Sequence, residues 1–256
     1  MVHVPRKRFG QHFLVDPAIV RRIIATIAPA PDQVLVEIGP GQGALTAPLA
    51  EHAGHLHLIE IDRDLAAALA KHYTAGRVTV HAADALEFDY GSLPAPLRLV
   101  GNLPYNISTP LLFRIAEFGD RIRDAHFMLQ REVVARMAAA PSTPEYGRLS
   151  VMIQYRFGIE KLFSVPPGAF RPAPKVDSAV VRMVPKPSHA LTATSERTLR
   201  EVVTAAFTKR RKTLRNALKG IADVEALTRL RIDPGLRPEN LAVSDYVAIA
   251  NVVAEG

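Results

Sequence analysis

The sequence of 256 residues predicts an α/β fold, in which helices cover a parallel, doubly wound sheet, followed by a small helical part. Short apolar strand patterns alternate with helical patterns up to residue 184, and the connections between them are short. After a segment rich in Pro, Ser and Thr, at 185–195, only helical patterns remain. The apolar fraction of 48% is large enough for the core that this fold requires.

The individual elements are predicted in chain order. Strands are expected where apolar runs are short or alternate with polar residues, at 34–38, 55–61, 77–81, 97–100, 124–130, 159–165 and 179–184. Helices are expected at 18–27, 44–51, 65–72, 110–118, 131–139, 199–219, 223–230 and 244–253. Asp16 followed by Pro17 is typical of a helix start. The linker-like segment predicts two domains, 1–185 and 196–256.

Composition excludes several classes of protein. The chain has no cysteine, so disulfides and thiolate metal sites are excluded. The sequence contains no run of about 18 apolar residues, so no membrane span is expected. The first ten residues are basic and are not followed by the apolar core of a signal peptide. We therefore expect a cytoplasmic protein. The net charge of +7 favours a polyanionic partner, most simply nucleic acid, although a merely basic surface is the alternative.

Four polar or glycine positions lie at or just after the predicted strand ends: Gly39, Glu60, Asp84 and Asn102. The carboxyl ends of parallel strands meet at one edge of a sheet, where ligands of such folds bind. The sequence therefore predicts a ligand site at this edge.

The glycine turn 39–43 is compatible with two classes of cofactor. Gly39, Gly41 and Ala44 satisfy a relaxed dinucleotide pattern, and glycines let a backbone approach a ligand closely. Glu60 can accept both ribose hydroxyls, and Asp84 can accept from an adenine amino group. These features fit an NAD site or another adenosine cofactor. An oxidoreductase also needs an acid or base after the fourth strand, where this chain has Asn102-Leu103-Pro104-Tyr105.

That turn suits methyl transfer to an exocyclic amine. The side-chain oxygen of Asn102 and the carbonyl of Leu103 or Pro104 can accept hydrogen bonds from the two N–H groups of an adenine amino group. Tyr105 can stack on the base, and Phe170, in a proline-rich loop, can cover its other face. Catalysis would then rest on positioning and on stabilising positive charge, without a strong base. A plain strand-to-loop turn is the alternative.

Further segments make the sequence recognisable as a whole. Together with the glycine turn and Asn102–Tyr105, the segments 9–14 (FGQHFL), 170–178 (FRPAPKVDS) and 207–216 (FTKRRKTLRN) resemble the small-subunit ribosomal RNA adenine dimethyltransferases, closest to the bacterial form. The resemblance covers nearly the whole chain. It implies a Rossmann-like class I methyltransferase fold with a seven-stranded sheet, and a small all-helical C-terminal domain.

The resemblance also implies a reaction. The methyl donor would be S-adenosylmethionine, and the substrate two adjacent adenosines in the 3′-terminal hairpin of small-subunit rRNA, in an immature small subunit. By position, it implies that the cofactor-binding residues are His12, Leu14, Gly39, Glu60, Asp84 and Asn102. The family usually has asparagine at the position of His12, and imidazole can still donate one hydrogen bond. We expect a monomer without membrane attachment.

Two basic stretches are candidates for RNA binding. Arg6, Lys7 and Arg8 precede two phenylalanines, and this mixture can lie along phosphates. In the predicted helix 199–219, the charged face contains Arg211, Lys212 and Arg215. A solvated basic face is the alternative. Arg210 falls inside the apolar stripe, which a straight helix does not explain, so a break near Thr208 is an option.

Other interpretations stay open. His52, His55 and His57 have no carboxylate or cysteine to complete a metal site, and we expect none. Competing functions are a large-subunit rRNA methyltransferase of the antibiotic-resistance type, a noncatalytic ribosome-assembly factor and, more distantly, an NAD oxidoreductase.

Overall fold

The computed structural model describes residues 11–73 and 76–255. These residues separate into two compact units: the chain up to Val134 with Ile159–Pro185, and Ala135–Gly158 with the chain from Lys186 onward. The predicted boundaries placed all of 1–185 in one domain, so the assignment of Ala135–Gly158 is corrected. The physical reason is that Tyr146, Val151 and Tyr155 are buried in one apolar cluster with helices from the C-terminal part.

The first unit contains a seven-stranded sheet. Its strands are β2 (Val34–Ile38), β3 (His55–Glu60), β4 (Val78–Ala82), β5 (Leu97–Asn102), β6 (Ile122–Gln130), β7 (Phe157–Val165) and β9 (Ser178–Pro185). Their order across the sheet is β4-β3-β2-β5-β6-β9-β7. The five strands from β4 to β6 are parallel, and β9 runs antiparallel to β6. The predicted α/β fold with a seven-stranded sheet is confirmed, but the sheet is mixed and not entirely parallel as predicted, because β9 runs antiparallel to β6.

The helices of the first unit begin close to their predicted positions. They are α1 (Pro17–Ile27), α2 (Thr46–His52), α3 (Arg63–His72), α4 (Ser108–Ala116) and α5 (Arg131–Met137), the last of which ends in the second unit. Asp16 caps α1, because its carboxylate accepts from the backbone N–H groups of Ala18 and Ile19 at 2.8 and 3.2 Å. Asp62 caps α3 in the same way, directly after β3.

A second, two-stranded sheet joins distant parts of the chain. Strand β1 (Phe13–Leu14) pairs antiparallel with β8 (Phe170–Arg171), and Leu14 lies opposite Phe170. Neither strand was predicted, because two residues carry no periodicity. The pairing brings the segment after residue 10 beside the proline-rich loop.

A buried charge network lies at the opposite end of β5 from Asn102. The Arg98 guanidinium donates to both carboxylate oxygens of Asp124 on β6, at 2.8 and 2.9 Å. It also donates to the carbonyl of Ile27 at the end of α1 and to Gln33, each at 2.6 Å. Arg98 and Asp124 are 6% and 5% exposed. The network therefore joins α1 to two central strands and explains the single charge in the apolar run 97–100.

The second unit is helical. Its helices are α6 (Arg148–Arg156), α7 (Glu196–Thr208), α8 (Leu214–Ala217), α9 (Val224–Arg229) and α10 (Val243–Glu255). Their core includes Leu199, Val203 and Tyr246. No helix in the described part of the chain has the length and apolar character that a bilayer span needs.

The predicted helix 199–219 is divided into two helices, and the break near Thr208 that the position of Arg210 indicated is confirmed. Helix α7 ends at Thr208 and α8 starts at Leu214, so the chain breaks where Arg210 entered the apolar stripe. In the break, the Arg210 guanidinium donates to the carbonyl of Pro144 at 2.8 Å and lies 3.5 Å from a Glu239 carboxylate oxygen. Arg210 therefore holds two loops of the second unit together.

We predict that Asp124→Ala lowers the free energy of unfolding by about 3–5 kcal/mol, because it leaves the Arg98 charge buried without its counterion. Urea denaturation measures the loss. The matched control is Glu201→Ala, which breaks an exposed ion pair with Arg197 and should cost less than about 1 kcal/mol. Equal losses in the two variants would contradict a special role for the buried network.

Candidate active site

The ends of β2, β3, β4 and β5 surround one cleft in the first unit. Its empty volume is about 920 Å³, including the open mouth. A cleft at the carboxyl edge of a parallel sheet is where ligands of such folds bind. The lining includes most of the sequence-predicted site residues, namely His12, Leu14, Gly39, Gly41, Glu60, Asp84, Asn102, Leu103, Pro104 and Tyr105.

The glycine turn after β2 is tightly held. Gly39 and Gly41 have φ of +66° and +57°, a conformation that side chains rarely adopt. The N–H of Gly39 donates to the carbonyl of Ile59 at 2.9 Å, and a Cβ on Gly41 would lie 3.0 Å from the Phe13 ring. Glycine at position 41 is therefore required by both conformation and space.

Glu60 is fixed by two backbone donors at the end of β3. One carboxylate oxygen accepts from the N–H of Gly41 at 3.0 Å, and the other accepts from Asp62 at 2.9 Å. Burial raises the pKa of Glu60, while these hydrogen bonds oppose that shift. A backbone hydrogen bond from Ile61 acts in the same direction, and a carboxylate with about four lone-pair sites still has capacity to accept from a ligand hydroxyl.

Glu37 lies beside Glu60 in the cleft lining. Its carboxylate accepts from the Thr46 hydroxyl at 2.7 Å, at the first residue of α2. Burial raises the pKa of Glu37 to about 7, the Thr46 hydrogen bond opposes the shift, and the charge of Glu60 adds to it. Glu37 thus joins β2 to the helix after the glycine turn.

Asp84 forms the turn after β4. One carboxylate oxygen accepts from the N–H of Leu86 at 2.8 Å, and the main-chain carbonyl accepts from Glu87 and Phe88. In the described part of the chain, the second carboxylate oxygen has no hydrogen-bond donor. It can therefore accept from a ligand amino group, as the sequence predicted.

Asn102 has a defined amide orientation. Its Nδ2 donates to the main-chain oxygen of His12 at 2.8 Å, and a carbonyl oxygen can only accept, so the contacting atom is the nitrogen. Oδ1 is then left as the acceptor. The backbone before it is also constrained, because a Cβ on Gly101 would lie 2.5 Å from the carbonyl oxygen of Ile38.

The two candidate carbonyls of the turn differ in their partners. The carbonyl of Pro104 accepts from the N–H of Ile107 at 3.2 Å, whereas that of Leu103 accepts no hydrogen bond from the described residues. The N–H of Leu103 donates to the main-chain carbonyl of Met128 at 3.1 Å, and this hydrogen bond holds the turn against β6. The Leu103 carbonyl is therefore the better placed second acceptor beside Asn102.

The Tyr105 side chain makes two contacts, one through its hydroxyl and one through the face of its ring. Its hydroxyl shares a 2.7 Å hydrogen bond with Ser178 at the start of β9. Its ring stacks with that of His12, with centroids 5.4 Å apart and planes inclined by 30°. Burial raises the pKa of Tyr105, so it is a neutral phenol at physiological pH.

The expected stacking role of Phe170 is not met. The Phe170 side chain is fully buried and packs in the core of the first unit with Leu14. The β1–β8 pairing gives the reason, since it places Phe170 opposite Leu14 and directs it into the apolar cluster. Phe170 therefore supports the cleft wall and does not face Tyr105 across a ligand.

Sequence reasoning missed two supporting contacts. The Ser178 hydroxyl contacts the Tyr105 hydroxyl, and the Gln11 side chain donates to the Asp62 carboxylate at 3.3 Å. Both residues lie in the motifs that carried the family resemblance. Their partners are 73 and 51 residues away in the chain, so no local pattern identifies the contacts.

The structure describes only three of the six residues predicted to bind RNA. Arg6, Lys7 and Arg8 lie outside the described residues. Arg211, Lys212 and Arg215 are exposed in the second unit, and none forms a side-chain ion pair within the described part of the chain. Their assignment to RNA stays a prediction.

Three histidines form a cluster away from the cleft. His57 Nδ1 lies 3.1 Å from His81 Nε2, and the rings of His55 and His57 are 4.5 Å apart. His52 instead contacts the Pro48 carbonyl in its own helix. Residues 11–73 and 76–255 contain no group of three or more His, Cys, Asp or Glu able to hold a metal ion.

Comparison with solved structures defines the class of protein. A dimethyladenosine transferase from Plasmodium falciparum superposes with a TM-score of 0.81 at 24% identity, covering 93% of this chain and 96% of the other. The 23S rRNA methyltransferase ErmE superposes with a TM-score of 0.71 at 28% identity, covering 94% and 99%. The fold is that of the class I methyltransferases.

The chain belongs to the family described as ribosomal RNA adenine dimethylase, which matches residues 2–255. It is 62% identical to the ribosomal RNA small subunit methyltransferase A of Aromatoleum aromaticum, over 98% of this chain and 95% of that protein. Identity to the protein of the same description from Chromobacterium violaceum is 57%, over 97% and 95%. These matches confirm the family resemblance drawn from the sequence.

We predict that Gly41→Ala weakens binding of S-adenosylmethionine by about tenfold or more, because a side chain at positive φ strains the turn that donates to Glu60. Isothermal titration calorimetry measures the affinity. Gly168→Ala is the matched control, since a Cβ there meets nothing within 4 Å. Unchanged affinity in the Gly41 variant would show that the turn does not shape the binding site.

Proposed function

We propose that this protein transfers methyl groups from S-adenosylmethionine to the N6 atoms of two adjacent adenosines near the 3′ end of small-subunit rRNA. The observation that carries the proposal is the orientation of the Asn102 amide, whose Oδ1 is left to accept from an amino group in the cleft. Family membership and the small-subunit relatives support the substrate. We place the reaction in the cytoplasm, on an immature small subunit, with the protein as a monomer.

The cleft residues match the parts of the donor. Glu60 would accept from the ribose hydroxyls, and Asp84 would accept from the adenine amino group through its second oxygen. His12, Leu14 and the turn containing Gly39 and Gly41 would enclose the remainder. No Lys or Arg is among the described residues that line the cleft, whereas the carboxyl groups of Glu60 and Asp84 are, which suits a positively charged ligand.

The chain's own groups then act on the target amine. S-adenosylmethionine supplies an electrophilic methyl group on a sulfonium sulfur. Asn102 Oδ1 and the Leu103 carbonyl would accept hydrogen bonds from the two N–H groups of the adenine amino group. They would thereby direct the nitrogen lone pair at the methyl carbon. Methylation would place a positive charge on the amino nitrogen, with the carbon–sulfur electron pair left on the departing thioether. The two acceptors stabilise that charge until a proton leaves to solvent.

The large-subunit alternative has some structural support. The fold of ErmE, a 23S rRNA methyltransferase, covers 94% of this chain. Identity to ErmE is 28%, compared with 62% to a small-subunit relative, which favours the small subunit. Mapping labelled methyl groups after incubation with unmethylated small subunits and with naked large-subunit RNA distinguishes the two substrates.

We predict that Asn102→Ala reduces methyl transfer to small subunits by at least a hundredfold, because it removes an acceptor aimed at the reacting nitrogen. Transfer of labelled methyl groups measures the rate, and sedimentation measures binding to the particles. We expect binding to persist. Full activity of the variant would overturn the mechanism, while an inactive wild-type protein that still binds would support the noncatalytic assembly factor.

We also predict that replacing Arg211, Lys212 and Arg215 together with Ala flattens the salt dependence of RNA binding. For every phosphate that the variant no longer neutralises, the slope of log K against log salt should fall by about 0.7–0.9. The control replaces Arg21, Lys71 and Arg123, which are exposed and carry the same total charge in the first unit. The same slope change in both triple variants would mean that only net charge matters.

A further inference from the structure

The His12 ring is held at its edge and presents a face to Tyr105. His12 Nδ1 lies 2.8 Å from the carbonyl oxygen of Pro172, which can only accept, so Nδ1 carries the hydrogen and donates. The ring then stacks with Tyr105, with centroids 5.4 Å apart and planes inclined by 30°. This contact joins the segment before β1, the proline-rich loop and the turn after β5.

Tyr105 needs such a contact because its hydroxyl partner cannot fix the ring plane. The hydrogen bond to Ser178 is at the tip of the side chain, 2.7 Å from the serine oxygen. That tip lies on the axis about which a tyrosine ring rotates, and rotation about this axis is only weakly restricted by the side chain itself. A partner stacked on the ring face restricts the rotation.

We propose that His12 is a positioning residue, whose imidazole sets the plane of the Tyr105 ring and thereby the plane in which the target base stacks. The proposal rests on the proposed function, since Tyr105 is the residue assigned to that base. The main-chain oxygen of His12 also holds the Asn102 amide. One residue thus orients both parts of the turn that receive the base, the amide through its backbone and the ring through its side chain.

The first test is a double-mutant cycle of His12→Asn and Tyr105→Ala. Asparagine keeps a donor for the Pro172 carbonyl while removing the ring. At saturating S-adenosylmethionine and small subunits, we expect His12→Asn to slow methyl transfer by about ten- to a hundredfold. Donor affinity is measured separately by calorimetry, so that any loss of a donor contact by His12 is distinguished from a slower rate at saturating donor. In the Tyr105→Ala background, the same substitution should have no further effect.

Two other variants make the cycle specific. His12→Phe restores a flat ring without the donor and should recover most of the rate. His52→Asn is the control, because that ring also contacts a proline carbonyl, at 2.9 Å, but lies outside the cleft lining. Additive losses in the double mutant, or a loss of donor affinity equal to the loss of rate, would overturn the positioning role.

The second test requires no RNA. Full-length protein carrying 3-fluorotyrosine at its six tyrosines gives fluorine NMR signals, and Tyr105→Phe identifies the one from Tyr105. We expect His12→Asn to shift this signal and His52→Asn to leave it in place. An unmoved signal would overturn the proposal. A shifted signal in a wild-type protein that methylates no small subunits would contradict the proposed function and leave the ring contact supported.

Discussion

The hydrogen bond from Asn102 Nδ2 to the main-chain oxygen of His12 is the contact on which the site depends. It decides which atom of the amide is free, because the nitrogen is engaged and the oxygen is left. It also attaches the segment before β1 to the end of β5, and β1 continues into the pairing with β8. A single 2.8 Å contact therefore sets the orientation of the Asn102 amide and closes one wall of the cleft.

The rest of the site follows from the geometry of a parallel sheet. Strands β2, β3, β4 and β5 end at the same edge of the sheet. The parallel arrangement of these strands is therefore enough to bring together residues that are far apart in sequence. The glycines after β2 and the carboxylate of Glu60 then fix each other through one hydrogen bond. At the far end of β5, Arg98 and Asp124 hold two strands and α1 together.

Local signals in the sequence were enough for the sheet and the cleft, because strand periodicity and the polar residue after each strand are properties of short segments. Long-range contacts were not predictable. The two-residue pairing of β1 with β8 leaves no periodic pattern, and it is the reason that Phe170 is buried. The chain break after α7 did leave a signal, since Arg210 fell inside an apolar stripe.

Helix α6 was missed for a different reason. Its buried apolar residues Leu149, Val151, Ile153 and Tyr155 occupy alternate positions, a spacing typical of a strand, although Ser150 between them is buried as well. In the structure they lie in a helix that is apolar on several sides, and Val151 and Tyr155 pack with the C-terminal helices. Burial around a helix removes the amphipathic period, so neither this element nor its place in the second unit could be predicted from the sequence.

The carboxylates around the cleft also affect what happens after the reaction. A methyl donor with a sulfonium enters with a positive charge at sulfur, and the thioether left after transfer has none. A cleft lined by the carboxyl groups of Glu60 and Asp84, with no Lys or Arg among its described lining residues, attracts the first species more strongly than the second. The charge distribution that favours donor binding thus also favours exchange of spent donor for fresh donor, which repeated methylation of one nitrogen requires.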